Sequence, residues 1–354
     1  MADLQHLPYA DTAAFGEPDE PPPAEAPTPA AFDLERARVL LAAQLVVDGH
    51  NTLGQQLDHT HWQDLLYGSA TLDTDLPRIQ AGGVGAQFWS LHTAADTAPD
   101  VVSATLDRID AVTTLIASVP EVLRLVTDAD QMAEARDCGR IASILGPVAG
   151  AALADSLGTL RAYHAPGVRS VTVAGAHWTA TGLTAFGESA LREMNRLGVL
   201  VDLSGATEET MDRVLSIAAA PVILSRSAAH ALTDHPDNVT DAVLRRLRAN
   251  RGVCMVSFAP DQVRHADQPA SLWDVADHVE HVRALAGPES VGLAGSYGTA
   301  SDAPHTIGLE DASCYPNLIA ELLHRDWTET DIAALTWGNA ARVMREAQSP
   351  PTAG

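Results

Sequence analysis

The side chains best suited to chemistry in this chain stand just after short apolar runs. His50 follows Leu45-Val46-Val47-Asp48, Arg226 follows Val222-Ile-Leu-Ser225, and Ser296 and Tyr297 follow Val291-Gly-Leu-Ala294. An imidazole exchanges protons near neutral pH, and a guanidinium holds carboxylates and oxyanions in a planar fork. His230 comes four residues after Arg226, a spacing that one helical turn would bring to a common face. His50 or His230 is therefore expected as acid or base, with Arg226 as the anion holder. Ser296 and Tyr297 are expected to donate hydrogen bonds to a developing oxyanion. Trp89, His177 and Trp178, near other strand ends, are expected to line a pocket for an apolar or aromatic ligand. Each residue has a plainer alternative. His50 can be hydrogen-bonded inside the fold, Arg226 can be a buried countercharge to Asp48 or Asp202, and the aromatic rings can be packing. Ser225-Arg-Ser227 lacks the glycines of a nucleophile elbow, and no Ser-His-acid triad can be argued from spacing. His265, His278 and His281 fall in an acidic helical stretch and are expected to be solvated.

The elements that must position these groups follow from length and pattern. The chain has 354 residues, 46% hydrophobic and 19% charged, enough for a large core and incompatible with wholesale disorder. Its 46 acidic and 22 basic residues give a formal charge of −24, which opposes binding to nucleic acid or an anionic membrane. Cys138, Cys254 and Cys314 are odd in number and far apart, so neither a disulfide framework nor a cysteine zinc site is expected. No apolar stretch approaches the roughly 20 residues of a membrane helix, and no basic region precedes an apolar run near Met1. A cytoplasmic protein is expected. Residues 1–33 are rich in Pro, Ala and acid and are expected to be a flexible tail, with residues 348–354 a loose C-terminus. Residues 34–347 form one unit of eight strand candidates: 45–48, 86–89, 141–145, 168–173, 199–203, 222–225, 253–257 and 291–294. Each is followed by a helical pattern, as at 208–218 and 242–250. Eight buried strands alternating with helices predict an α/β fold, a (β/α)8 TIM barrel. A doubly wound open sheet is the second choice, but no Gly-rich phosphate loop follows the first strand. A barrel puts its chemistry in the loops after the strands.

Those loops carry a family likeness. Asp48-Gly-His-Asn-Thr52, the segment Asp73 to Ser90, and Phe186 to Ser204 resemble the renal dipeptidase (membrane dipeptidase, M19) family of zinc peptidases. So do Asp234-His-Pro-Asp-Asn-Val239, Ile307-Gly-Leu-Glu-Asp311 and Leu335-Thr-Trp-Gly-Asn-Ala-Ala-Arg-Val343. The likeness spans about residues 38–345 and implies an amidohydrolase-like barrel of the metal-dependent hydrolase type. It also implies two zinc ions held by a His-x-Asp pair, a bridging Glu and two further His. Carried over one position at a time, the first His is His50. The others fall on Thr52, Leu145, Gly205 and Arg226. A His near the substrate falls on Gly175, or with a shift of two on His177; an Arg that holds the dipeptide carboxylate falls on His230; an acid/base Asp falls on Ser296.

One neutral imidazole cannot hold a dication, and a guanidinium at a ligand position opposes one. The expectation is therefore no metal and no other cofactor, in a site that keeps positive potential and attracts a small, carboxylate-bearing molecule. Two functions fit. One is a repurposed, metal-independent enzyme catalysing cyclisation, elimination or rearrangement of an amino-acid-derived molecule, with Thr52 also touching substrate; the Ala-, Arg- and Asp-rich composition fits bacterial specialised metabolism. The other is a pseudoenzyme that binds a ligand or partner without turnover. A zinc dipeptidase rebuilt from Asp58, His59, His61 or His177 is the remote third reading. A homodimer is expected by analogy with related barrels.

Overall fold

The computed structural model describes residues 31–59, 62–93, 100–180, 182–265, 268–298 and 304–348. The expected flexible ends therefore lie largely outside the described residues, although the first helix, Ala31–Ala43, begins within the expected N-terminal tail.

Ten strands form one sheet: β1 (Val46–Asn51), β2 (Val84–Trp89), β3 (Leu123–Leu125), β4 (Ile141–Leu145), β5 (Val148–Ala149), β6 (Ser170–Thr172), β7 (Leu200–Asp202), β8 (Ile223–Ser227), β9 (Val253–Ser257) and β10 (Val291–Ala294). Every strand pairing is parallel, in the order β3-β4-β2-β1-β10-β9-β8-β7-β6-β5. The sheet curls on itself where Leu145 bridges Val168 and the Arg169 N–H donates to the Leu145 carbonyl at 2.9 Å. With helices between the strands, this is a (β/α)8 barrel. All eight expected strands are present. β3 and β5 are additional, and at three and two residues they are too short to show a period. β3 pairs beside β4, and β5 resumes the sheet beyond Gly146-Pro147, alongside β6.

Aliphatic runs form these strands because both faces are covered, one by the barrel interior and one by helices. β1, β2, β4, β9 and β10 are buried at every residue. β8 has one break in its burial, at Arg226. Threonines start several of the outer helices: Thr184, Thr207 and Thr240 accept the N–H groups of Gly187, Thr210 and Val243. The helix Asp241–Asn250 then lays Val243, Leu244 and Leu247 into the core. Gly49 lets β1 press close to β9, because a Cβ there would overlap the side chain of Met255.

The C-terminal helix Asn339–Gln348 buries Ala340, Val343, Met344 and Ala347 in one cluster with Val47, Leu200, Ile223 and Val253, which stand near the starts of their strands. This helix therefore covers the end of the barrel where the strands begin. The end where they finish is left for a site. No described helix is long and apolar enough to cross a membrane. All three cysteines are free thiols.

Candidate functional site

His50 sits in the last part of β1 and is buried. Its backbone is fixed on both sides: the N–H donates to Asp48 Oδ1 at 3.2 Å, and the carbonyl accepts the Ser296 N–H at 2.9 Å. Neither ring nitrogen has a hydrogen-bond partner among the described residues. Burial, with the Arg226 charge and His92 adding to it, holds the imidazole well below its ordinary proton affinity. His50 is thus a neutral base in a dry setting.

His92, just past the end of β2, is its counterpart. Its Nε2 lies 3.1 Å from Thr172 Oγ1, and that hydroxyl donates to Asp202 Oδ2 at 2.6 Å. The single hydroxyl proton is committed to the carboxylate, so Thr172 must accept from Nε2–H. The lone pair of His92 is then on Nδ1. Burial pushes this imidazole down to about 4; Asp202 opposes the shift and Arg226 adds to it.

Asp202 ties three strands together. Its Oδ1 accepts the Ser204 N–H and hydroxyl at 3.0 and 2.7 Å and the Ser225 N–H at 2.9 Å. Its Oδ2 accepts the Ser225 hydroxyl at 2.7 Å besides Thr172. The carboxylate is fully occupied in holding the scaffold. Arg226 follows on β8, with its N–H donating to Ser204 Oγ at 3.0 Å. The mouth therefore presents two neutral imidazoles under the field of one guanidinium.

Where β1 and β10 end, Asp48 is buried and accepts the Gly295 N–H at 2.8 Å. Burial pushes its carboxyl up to about 6, against the two backbone donors. The rings of Phe258, Tyr297 and Tyr315 pack there with centroids 5.3 to 6.1 Å apart. Beside them a cleft of about 210 Å³ is lined by Thr52, Asp73, Phe258, Ser296, His305 and Leu309. Ser296 adopts a left-handed φ of 56°, and its Oγ is 3.3 Å from that of Ser257.

Several expectations are corrected by this geometry. Arg226 pairs with neither Asp48 nor Asp202; its Nη1 lies 3.4 Å from Asp237 Oδ2, because both other carboxylates are turned to backbone and hydroxyl donors. His230 does not share a helical face with Arg226, since that stretch is strand and then an isolated bridge, and His230 pairs with Asp234 at 3.0 Å on the surface. Replacing His230 with Ala is expected to change stability by less than about 0.5 kcal/mol in a urea titration. Tyr297 is no oxyanion donor, because its hydroxyl donates to the Leu309 carbonyl at 3.0 Å. Trp178 is core: its Nε1 donates to the Gly150 carbonyl and its ring packs edge-on against Phe186. Trp89 is wholly buried in the hydrophobic cluster, as packing requires. His177 is exposed and bonded to Asp155 at 2.6 Å. Thr52 lines the cleft but spends its hydroxyl on the Tyr297 carbonyl at 3.1 Å. His278 is buried rather than solvated, with Nδ1 accepting the Ala229 N–H at 2.9 Å.

Leu145 is buried at the end of β4, and Gly205 takes a φ of +69° against Asp237. Among the described residues no three His, Cys, Asp or Glu side chains converge as they would around a metal ion. The side chains of Asp58, His59 and His61 lie outside the described residues.

A barrel with its polar groups at the ends of the strands is the architecture of the amidohydrolase-like enzymes. Residues 34–352 match the family model for membrane dipeptidases (peptidase family M19), and the chain belongs to that family. It is 38% identical to dipeptidase 3 of Macaca fascicularis over 88% of this chain and 67% of that protein. It is 37% identical to dipeptidase 3 of Homo sapiens over 91% of this chain and 69% of that one. The probable dipeptidase PvdM from Pseudomonas aeruginosa shares the fold, with a TM-score of 0.81 and 20% identity over 90% of this chain and 99% of that chain.

Proposed function

We propose that this barrel binds a small carboxylate-bearing molecule at the mouth formed by His50, His92 and Arg226, and acts on it without the zinc pair that the family resemblance implies. The observation that supports this most is the buried imidazole of His50, neutral, with both nitrogens unpartnered among the described residues and a guanidinium in its neighbourhood. A buried polar ring without a partner costs about 1–3 kcal/mol, which a ligand group would offset. Among the described residues the donor set does not fit two dications: Asp202 is saturated, Asp237 faces Arg226, and no three His, Cys, Asp or Glu side chains converge.

In this reading Arg226 neutralises the ligand carboxylate. That lowers the cost of removing a proton from the adjoining carbon or nitrogen, and His50 or the free Nδ1 of His92 receives it. Cyclisation, elimination and rearrangement of an amino-acid-derived molecule all use such a step, whereas the name of the dipeptidase 3 relatives denotes dipeptide cleavage. We propose a cytoplasmic location, with which the three free thiols are compatible.

Two measurements test the reading. After incubation with excess Zn²⁺ and desalting, fewer than about 0.1 equivalents of zinc are expected to remain. Calorimetric titration with N-acetylglycine is expected to show binding that weakens at least about tenfold in Arg226→Met. One to two tightly held zinc equivalents would overturn the proposal and return attention to dipeptide hydrolysis. Binding that survives in both His50→Ala and His92→Ala, with no turnover of any amino-acid derivative by the wild type, would favour a non-catalytic binding protein.

A further inference from the structure

The cleft beside the mouth holds a carboxylate–imidazole pair that the reading above does not use. His305 Nε2 stands 3.1 Å from Asp73 Oδ2, with 31% and 13% of the two side chains exposed. Asp73 is held in place by its backbone, since its N–H donates to the Gly298 carbonyl at 3.1 Å and its own carbonyl accepts the Ala312 N–H at 2.8 Å. His305 is the one side-chain partner of the Asp73 carboxylate among the described residues, so Oδ1 retains its lone pairs. The Arg78 guanidinium, whose charge Asp73 feels, is already shared between Asp75 and Asp311. Asp311 adds negative potential, and burial raises the proton affinity of Asp73. Phe258, Pro260 and Leu309 give the cleft an apolar part of its lining.

We propose that this cleft is a binding subsite for a small primary ammonium group, with Asp73 as its counter-anion, His305 as the carboxylate's positioning partner, and Phe258, Pro260 and Leu309 receiving a short aliphatic stem. The volume of about 210 Å³ has room for roughly half a dozen heavy atoms. An anion is disfavoured by the local carboxylates, and a neutral alcohol leaves Asp73 without a full counter-charge. The subsite does not depend on whether Arg226 holds a carboxylate.

The test uses the full chain at pH 7.5 and three probes of similar size: n-propylammonium, n-propanol and propionate. Histidine ring ¹⁵N resonances are followed, with His305 assigned from the spectrum of His305→Gln. Propylammonium is expected to shift the His305 signal saturably. The other two probes should need at least tenfold higher concentration, and Asp73→Asn should weaken the ammonium at least tenfold. If Asp73→Asn does not fold, the wild-type ranking of the three probes decides. In His305→Gln, which keeps the carboxylate, ammonium binding followed by calorimetry is expected to persist. Equal response to propanol or propionate, no saturation, or full binding in a folded Asp73→Asn would overturn the subsite and leave the pair as a structural tie. None of these outcomes bears on the N-acetylglycine titration, which reads Arg226.

Discussion

Lowering the pH from about 7.5 to 5 is expected to cost this barrel about 2 kcal/mol of stability. The sign comes from the buried imidazoles. His92 and His278 are each pushed by burial to about 4, while the unfolded chain titrates near the ordinary value of 6.5. Between those values the unfolded state takes up the proton and the folded state does not, so stability falls as the solution is acidified. Each ring then contributes a loss of about 2 kcal/mol at pH 5. His50 shifts in the same direction and adds to the loss. Asp48 works against it. Its carboxyl is raised to about 6, so the folded state gains a proton first on acidification and recovers about 1 kcal/mol. Urea midpoints measured across this range check the balance. A midpoint that stays level down to pH 5 would mean that the imidazoles are solvated. In His278→Asn, which loses one of these rings, the slope is expected to be shallower.

Asp202→Ala is expected to destabilise the fold by about 3–5 kcal/mol, the largest single effect anticipated at this site. The carboxylate receives five hydrogen bonds from three neighbouring strands and loops, and its removal leaves two backbone N–H groups and three hydroxyls in a buried place. Asp202→Asn keeps one oxygen and the shape, so a smaller loss of about 1–2 kcal/mol is expected. Urea unfolding gives both values. A second readout separates scaffold from site. Without Asp202, the Thr172 proton is free to turn toward His92, and the imidazole tautomer seen by ¹⁵N NMR should shift from Nε2–H toward Nδ1–H. An alanine variant that unfolds at the wild-type midpoint would show that the network is not what joins these strands.

The eight barrel strands were legible because parallel strands buried on both faces need continuous aliphatic runs, and such runs stand out between helical patterns. His50 and Arg226 were legible for a related reason: each directly follows such a run, where a barrel exposes its chemistry. What the sequence hid was partnership. The carboxylate facing Arg226 is Asp237, brought round by a loop, while the closer-seeming Asp48 and Asp202 are taken up by backbone and hydroxyl donors. His92 also stands just past a strand end, but its tautomer is set by Thr172, 80 residues away. His278 looked solvated in an acidic helix, yet it is buried because the Ala229 N–H needs its acceptor. The pair of Asp73 and His305 joins two loops that no spacing rule connects.

The seam between β1 and β10 has a consequence for how the chain is made. Asp48 receives its Gly295 hydrogen bond across 247 residues, so nearly the whole barrel must leave the ribosome before β1 gains its second neighbour. Until then the unpaired backbone edge of β1 is open to any other chain with an edge of its own. Yield at high expression temperature should therefore be limited by how fast synthesis reaches β10, and slowing growth or supplying a holdase should recover more protein than any stabilising change at the mouth.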